Sequence, residues 1–158
     1  MEPDKKPRFV TSRRVEFVDT DMAGIVHFTN FFRYMEQAEA EFFRSYGFTL
    51  AERPNTAGVA EGWPRVSATC SFKSPAYHNE VLEIRIFVRR RGFKSLTLGY
   101  EFHRGSTLIA TGQIKTAYCR FSVGQPIQSL EIPAKFDEML GPYDLTQAEP
   151  AAASDRDA

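Results

Sequence analysis

Apolar residues in this chain follow two rhythms. Between positions 31 and 46 they recur every three or four residues, at Phe31, Met35, Ala38, Phe42 and Tyr46, with Phe32 and Phe43 widening the stripe. That period predicts an amphipathic helix with one buried face. Arg33, Glu36, Glu39 and Arg44 give it a polar side, so it is not apolar all round. Thr29 or Asn30 is placed to cap its start, and Gly47 to end it in the left-handed conformation. At ~1.5 Å per residue the helix is about 24 Å long, enough to cross a small domain.

From residue 66 onward the rhythm becomes alternation. Leu82, Ile84, Ile86 and Val88 share one face, as do Leu96, Leu98, Tyr100 and Phe102. Strands are predicted over 66–73, 81–91, 95–103 and 107–121, with Gly112 marking a bend or bulge in the last. "RRGFK" and "HRGST" supply Gly-containing hairpin turns between them. A weaker alternation through Phe9, Val15 and Phe17 predicts a first strand over 8–18. Pro54, Gly58, Gly62 and Pro64 break residues 49–64 into loop. The order is therefore strand, long helix, then about four antiparallel strands, an α+β chain. One amphipathic helix cannot bury its stripe alone, and the strands have one apolar face free. A curved antiparallel sheet wrapped around the one long helix satisfies both. Residues 1–8 read as a flexible N-terminal arm, 9–144 as a single domain, and 145–158 as a disordered tail of small and polar residues.

Composition narrows the function classes. Lys+Arg and Asp+Glu number 20 each, so no net charge draws the chain to nucleic acid or to an acidic membrane surface. Any recognition by charge must be local, and "RRRGFKS" at 89–95 is the one concentrated basic patch. Cys70 and Cys119 have no metal-ligand spacing and are too few for a disulfide framework, which favours a reducing, cytoplasmic compartment. No apolar window approaches the ~18 residues of a membrane span. No metal site, GxSxG elbow, His-Cys pair or Gly-rich phosphate loop is present in the sequence.

The candidate chemistry sits in "VDTDMAGIVHFTNFFRYMEQAE", beginning at Val18. Two carboxylates, Asp19 and Asp21, stand just ahead of the aromatic-rich helix. A buried, unpaired carboxylate is costly, so each needs donors, water or a task. Short acids commonly cap turns, and Asp19 is assigned that part. Asp21 lies eight residues ahead of Thr29, with Gly24 between them. That spacing sets a carboxylate near a helix N-terminus, whose free N–H groups favour negative charge.

"DTDMAGIVHFTNFFRYME", together with "FKSPAYHNEVLEI" (72–84) and "IPAKFDEML" (132–140), resembles the 4-hydroxybenzoyl-CoA thioesterase family of hot-dog proteins. It is similar in particular to the acyl-CoA thioesterases associated with the Tol-Pal system. The likeness runs from Phe9 to Leu140. It implies a hot-dog fold and hydrolysis of a fatty acyl- or aroyl-CoA thioester to free acid and coenzyme A. It further implies a homodimer or homotetramer with sites at the dimer interface. No cofactor is implied, coenzyme A being part of the substrate. Asp21 takes the place of the family's catalytic carboxylate, as nucleophile or general base, and the Phe28 N–H that of its carbonyl-polarising donor. In the Tol-Pal-associated relatives an aromatic precedes the His. Here His27 comes first and Phe28 second, which weakens a carried-over role for His27 in the site.

Gly24 and Glu36 match family positions beside the substrate, although Glu36 also reads as an exposed helix carboxylate. Arg91, Lys94 and Ser95 lie where the family grips coenzyme A, with Ser95 and Thr97 reaching a thioester from the partner subunit. Arg and Lys there suit the 3′-phosphate and pyrophosphate. Two other readings keep the fold: an acyl carrier protein thioesterase, and a non-catalytic acyl-CoA-binding protein. A hydratase is disfavoured by the swapped His27.

Overall fold

The computed structural model describes residues 6–143, so the tail expected over 145–158 and the first part of the arm lie outside the described residues. In chain order come β1 (Phe9–Arg14), a 3-10 turn (Phe17–Asp19), α1 (Phe28–Ser45), β2 (Val59–Gly62) and β3 (Arg65–Phe72). There follow β4 (Val81–Arg91), β5 (Ser95–Arg104), β6 (Thr107–Ala117), β7 (Cys119–Ser122) and β8 (Gln128–Ser129). A second 3-10 turn (Ala134–Phe136) leads into α2 (Asp137–Leu140). Five strands make one antiparallel sheet in the order β1-β4-β5-β6-β3.

Alternation decides which side chains enter the core. Leu82, Ile84 and Ile86 of β4 and Leu96, Leu98, Tyr100 and Phe102 of β5 are buried. They meet the helical stripe of Phe31, Met35, Ala38 and Phe42, also buried, in one continuous cluster. A sheet packed around one long helix is the hot-dog architecture of the α+β class, as the resemblance implied. Gly112 is not a bulge. Its register is unbroken with Tyr100 on one side and Cys70 on the other. A Cβ at this position would collide with Met35 Sδ, so the missing side chain lets α1 lie close on the sheet. The register shifts instead between Arg65 and Ser67, Val88 and Arg90, and Phe102 and His103.

Four further sequence expectations are corrected. The helix begins three residues before Phe31, because His27 and not Thr29 or Asn30 is its cap: His27 Nδ1 accepts the Thr29 N–H at 3.3 Å. The first strand stops at Arg14, where the chain turns into the 3-10 segment. The strand expected over 107–121 breaks at Tyr118, whose N–H donates to the Lys94 carbonyl outside the five-stranded ladder. The 49–64 loop contains β2, which pairs with β7 in a second, three-stranded sheet ordered β2-β7-β8. That small sheet closes over Trp63, which packs on Tyr118, Phe136 and Phe43 with centroids 4.9, 5.2 and 5.7 Å apart.

β3 lies at the end of the large sheet and, among the described residues, is paired only with β6. Val66 and Phe72 on it are 58% and 51% exposed, so this edge presents apolar side chains as well as an unpaired backbone.

Candidate active site

The loop between the first 3-10 turn and α1 is folded back on itself. Thr20 bridges Val26, Ile25 bridges Tyr77, and the Asp21 N–H donates to the Ile25 carbonyl at 2.9 Å. Gly24 makes the return with φ of +78°, a value L residues rarely adopt, and its N–H donates to the Asp21 carbonyl. Asp21 Oδ1 accepts the Ala23 N–H at 2.8 Å, while Oδ2 has no hydrogen-bond partner among the described residues. The carboxylate is half-buried on the wall of an apolar cavity of about 530 Å³. Ile25, Val26, Phe28, Phe31, Phe72 and Pro75 supply most of the remaining wall.

Two further donors complete this picture. Phe28 is the first residue of α1, and its N–H is one of the unpaired amides that every helix start leaves. Lys73 also lines the cavity, exposed and without an ion-pair partner among the described residues. Sequence reasoning passed over Lys73, although "FKSPAY" put a lone cation at the end of a strand beside a Ser-Pro turn. Asp19, in contrast, is 6% exposed and faces donors from the helix. Tyr34 Oη donates to its Oδ2 at 2.8 Å, and both burial and this acceptor raise the phenol above its ordinary pKa.

The other sequence candidates lie elsewhere. His27 Nδ1 is 2.7 Å from Thr29 Oγ1 and its ring stacks on Phe28, so its side chain serves the cap and does not line the cavity. Glu36 is exposed on the opposite face of α1, in a separate charged groove with Arg13, Arg33 and Glu41. Helical spacing sets it there, one residue beyond the buried Met35. Arg91 is 7% exposed and committed to its own chain. Its guanidinium donates to the Gly92 and Ile132 carbonyls and pairs with Asp137 at 3.2 Å. Lys94 is exposed at the β4–β5 turn and Ser95 half-buried at the start of β5. Arg91 also borders a cavity of about 740 Å³ with Lys6, Arg8 and Arg89, a cluster of four cations that joins the arm to the hairpin.

Within one chain these two groups stand far apart. Arg104, at the end of β5, donates to the Pro75 carbonyl beside the Asp21 cavity. Ser95 begins that ten-residue strand, about 30 Å away at ~3.3 Å per residue. No group of three or more His, Cys, Asp or Glu side chains capable of holding a metal exists among the described residues. The arrangement offers one available carboxylate oxygen, an unpaired helix-start N–H and an apolar aromatic wall. That set can activate water or attack a carbonyl while an amide holds the oxyanion.

The sequence profile of the thioesterase-like superfamily matches residues 15–151. The chain belongs to that superfamily. Among thioesterase-like relatives, the 4-hydroxybenzoyl-CoA thioesterase of Pseudomonas sp. strain CBS-3 is 28% identical over 80% of this chain and 93% of its own length. The 1,4-dihydroxy-2-naphthoyl-CoA hydrolase of Prochlorococcus marinus strain NATL1A is 28% identical over 66% of this chain and 73% of its own. The solved structure of a gentisyl-coenzyme A thioesterase superposes with a TM-score of 0.69 at 31% identity, covering 80% of this chain and 98% of that one. Thioester hydrolysis is the reaction class of this thioesterase-like chain.

Proposed function

We propose that the protein hydrolyses an acyl- or aroyl-CoA thioester, with Asp21 as the reacting carboxylate and the Phe28 N–H polarising the carbonyl. The observation that carries this reading is the unpaired Asp21 Oδ2 on the wall of the aromatic-lined cavity that Phe28 also borders. Asp21 acts on the thioester carbon or on the water that attacks it. Charge develops on the carbonyl oxygen in either case, and a helix-start amide stabilises it most where water is excluded. Phe28, Phe31 and Phe72 suit a planar aromatic or medium-length acyl group. Gly24 lets the loop turn tightly enough to bring the carboxylate to the thioester. The reaction needs no metal or organic cofactor, and coenzyme A enters with the substrate.

The coenzyme A phosphates are gripped by a second copy of the chain. Support comes from the open β3 edge: an antiparallel addition there sets the start of one β3 against the end of the other. The partner's β4–β5 hairpin, with Lys94 and Ser95, then approaches the Asp21 end of this chain. Lys6, Arg8 and Arg89 join Lys94 as the phosphate-binding cations, and Arg91 holds the C-terminal segment beneath them. A homodimer is the smallest active unit, and a homotetramer would pair two of them. The two cysteines outside any disulfide accord with a cytoplasmic location.

The test is turnover of a panel of acyl- and aroyl-CoAs by the wild type and by Asp21→Asn. Asp21→Asn is expected to lower kcat by a factor of about 100 or more on every substrate the wild type accepts. Equal rates for the two proteins would remove Asp21 from the mechanism.

A further inference from the structure

We propose that Asp19 is a positioning residue for the site, a buried clamp that sets Asp21 and the Phe28 N–H in register with one another. This rests on the thioesterase reading above. Five hydrogen bonds converge on Asp19. Its Oδ2 accepts the Tyr34 hydroxyl at 2.8 Å and the Glu16 N–H at 3.0 Å. Its carbonyl accepts the Asn30 side-chain amide at 2.8 Å and the His27 N–H at 2.9 Å, and its own N–H donates to the Glu16 carbonyl at 3.0 Å. The residue is nearly out of contact with solvent, where a carboxylate left without donors is expensive. Tyr34, more than a turn into α1, and Asn30, in its first turn, therefore tie the loop to the helix from two heights.

The consequences reach the reacting groups by way of the main chain. Holding the His27 N–H on the Asp19 carbonyl fixes the Val26–His27 peptide, and the His27 carbonyl, which accepts the Asn30 N–H at 2.9 Å, fixes the next one, the peptide that carries the Phe28 N–H. The same bond closes the loop in which Asp21 lies two residues beyond Asp19: with the Asp21 N–H on the Ile25 carbonyl it makes up the Thr20–Val26 bridge. Neither Tyr34 nor Asp19 borders the Asp21 cavity, since both face the groove on the far side of the loop. Their effect on the reaction is through geometry alone. Misplacing a reacting group by about 1 Å can lower a rate by a factor of about 100.

Three substitutions separate this from a purely structural role. Tyr34→Phe deletes a single hydroxyl, Asp19→Ala deletes the side-chain acceptor of the Tyr34 hydroxyl and the Glu16 N–H while leaving the main-chain carbonyl, and Asp19→Asn keeps a side-chain oxygen able to accept. Expected are a tenfold or greater loss of kcat in Asp19→Ala, a smaller loss in Tyr34→Phe, KM within threefold of wild type in both, and substantial recovery in Asp19→Asn. Affinity for free coenzyme A, measured by calorimetry, stays unchanged. A folded Asp19→Ala with kcat within twofold of wild type overturns the proposal. If Asp19→Ala does not fold, Tyr34→Phe with unaltered kcat does so. Amide exchange at Asp21 and His27, whose N–H groups are held by the Ile25 and Asp19 carbonyls, gives a reading independent of activity: faster exchange in Tyr34→Phe supports the clamp, and unchanged exchange refutes it. Should the wild type hydrolyse no thioester, the functional reading fails while this exchange measurement still decides the clamp.

Discussion

Glu39 is a carboxyl group buried in the core. It sits on the sheet-facing side of α1 with no solvent exposure. Arg65 Nη1 lies 2.6 Å from its Oε2, yet burial outweighs that cation and lifts the carboxyl to about 7 from 4.5. Nearby, Tyr100 Oη is buried without a hydrogen-bond partner among the described residues, and the phenol is pushed upward by burial and by the charge of Glu39. A carboxyl raised on folding holds its proton more tightly in the native state than in the unfolded one. Its contribution is therefore most favourable below 4.5 and is lost as pH rises to about 7. The loss is on the order of 3 kcal/mol, since each unit of displacement is worth ~1.4 kcal/mol. Urea midpoints measured across this window should fall with rising pH for the wild type. Glu39→Gln should flatten that dependence, and an unchanged slope would show that Glu39 titrates normally.

At the scale of elements, the small β2-β7-β8 sheet holds the end of α1 and the C-terminal segment together. Trp63 is its anchor, 6% exposed and ringed by Phe43, Tyr118 and Phe136. Trp63→Ala leaves a void that rigid rings cannot fill and should cost roughly 3–5 kcal/mol in urea unfolding, with Trp63→Phe costing less. This sheet is also where the sequence was least informative. The α1 stripe and the alternation of β4 and β5 are local periodicities, and both survive as observed elements. β2 is four residues inside a Pro- and Gly-broken stretch, and it is a strand only because β7 reaches it from about sixty residues away. The cap shows the same limit. His27 was a weaker capping type than Thr29 or Asn30, but Asn30 is drawn to Asp19, a contact no local pattern reveals. Within the candidate site, spacing ahead of the helix drew attention to Asp21 and Gly24, while the Phe28 N–H came only through the family resemblance. Residues 72–76 entered the sequence analysis only as part of the 72–84 family match, with no place in the site, because their proximity to Asp21 depends on the Ile25–Tyr77 bridge.

For the whole molecule, the decisive dimension is the length of β5. One end of the strand lies by the Asp21 cavity and the other carries Lys94 and Ser95, so a chain in isolation holds its acid and its hairpin cations at opposite poles. Each working centre of the proposed dimer then borrows its acid from one protomer and its cations from the other. Genetic complementation should follow. Asp21→Asn and Lys94→Glu proteins, each impaired alone, would form mixed pairs in which one centre carries both lesions and the other carries neither. Unfolded together and refolded, they should recover up to about a quarter of wild-type turnover, the share expected from random pairing around a two-fold axis. Recovery no greater than the mean of the two parents would mean that each chain supplies both halves by itself.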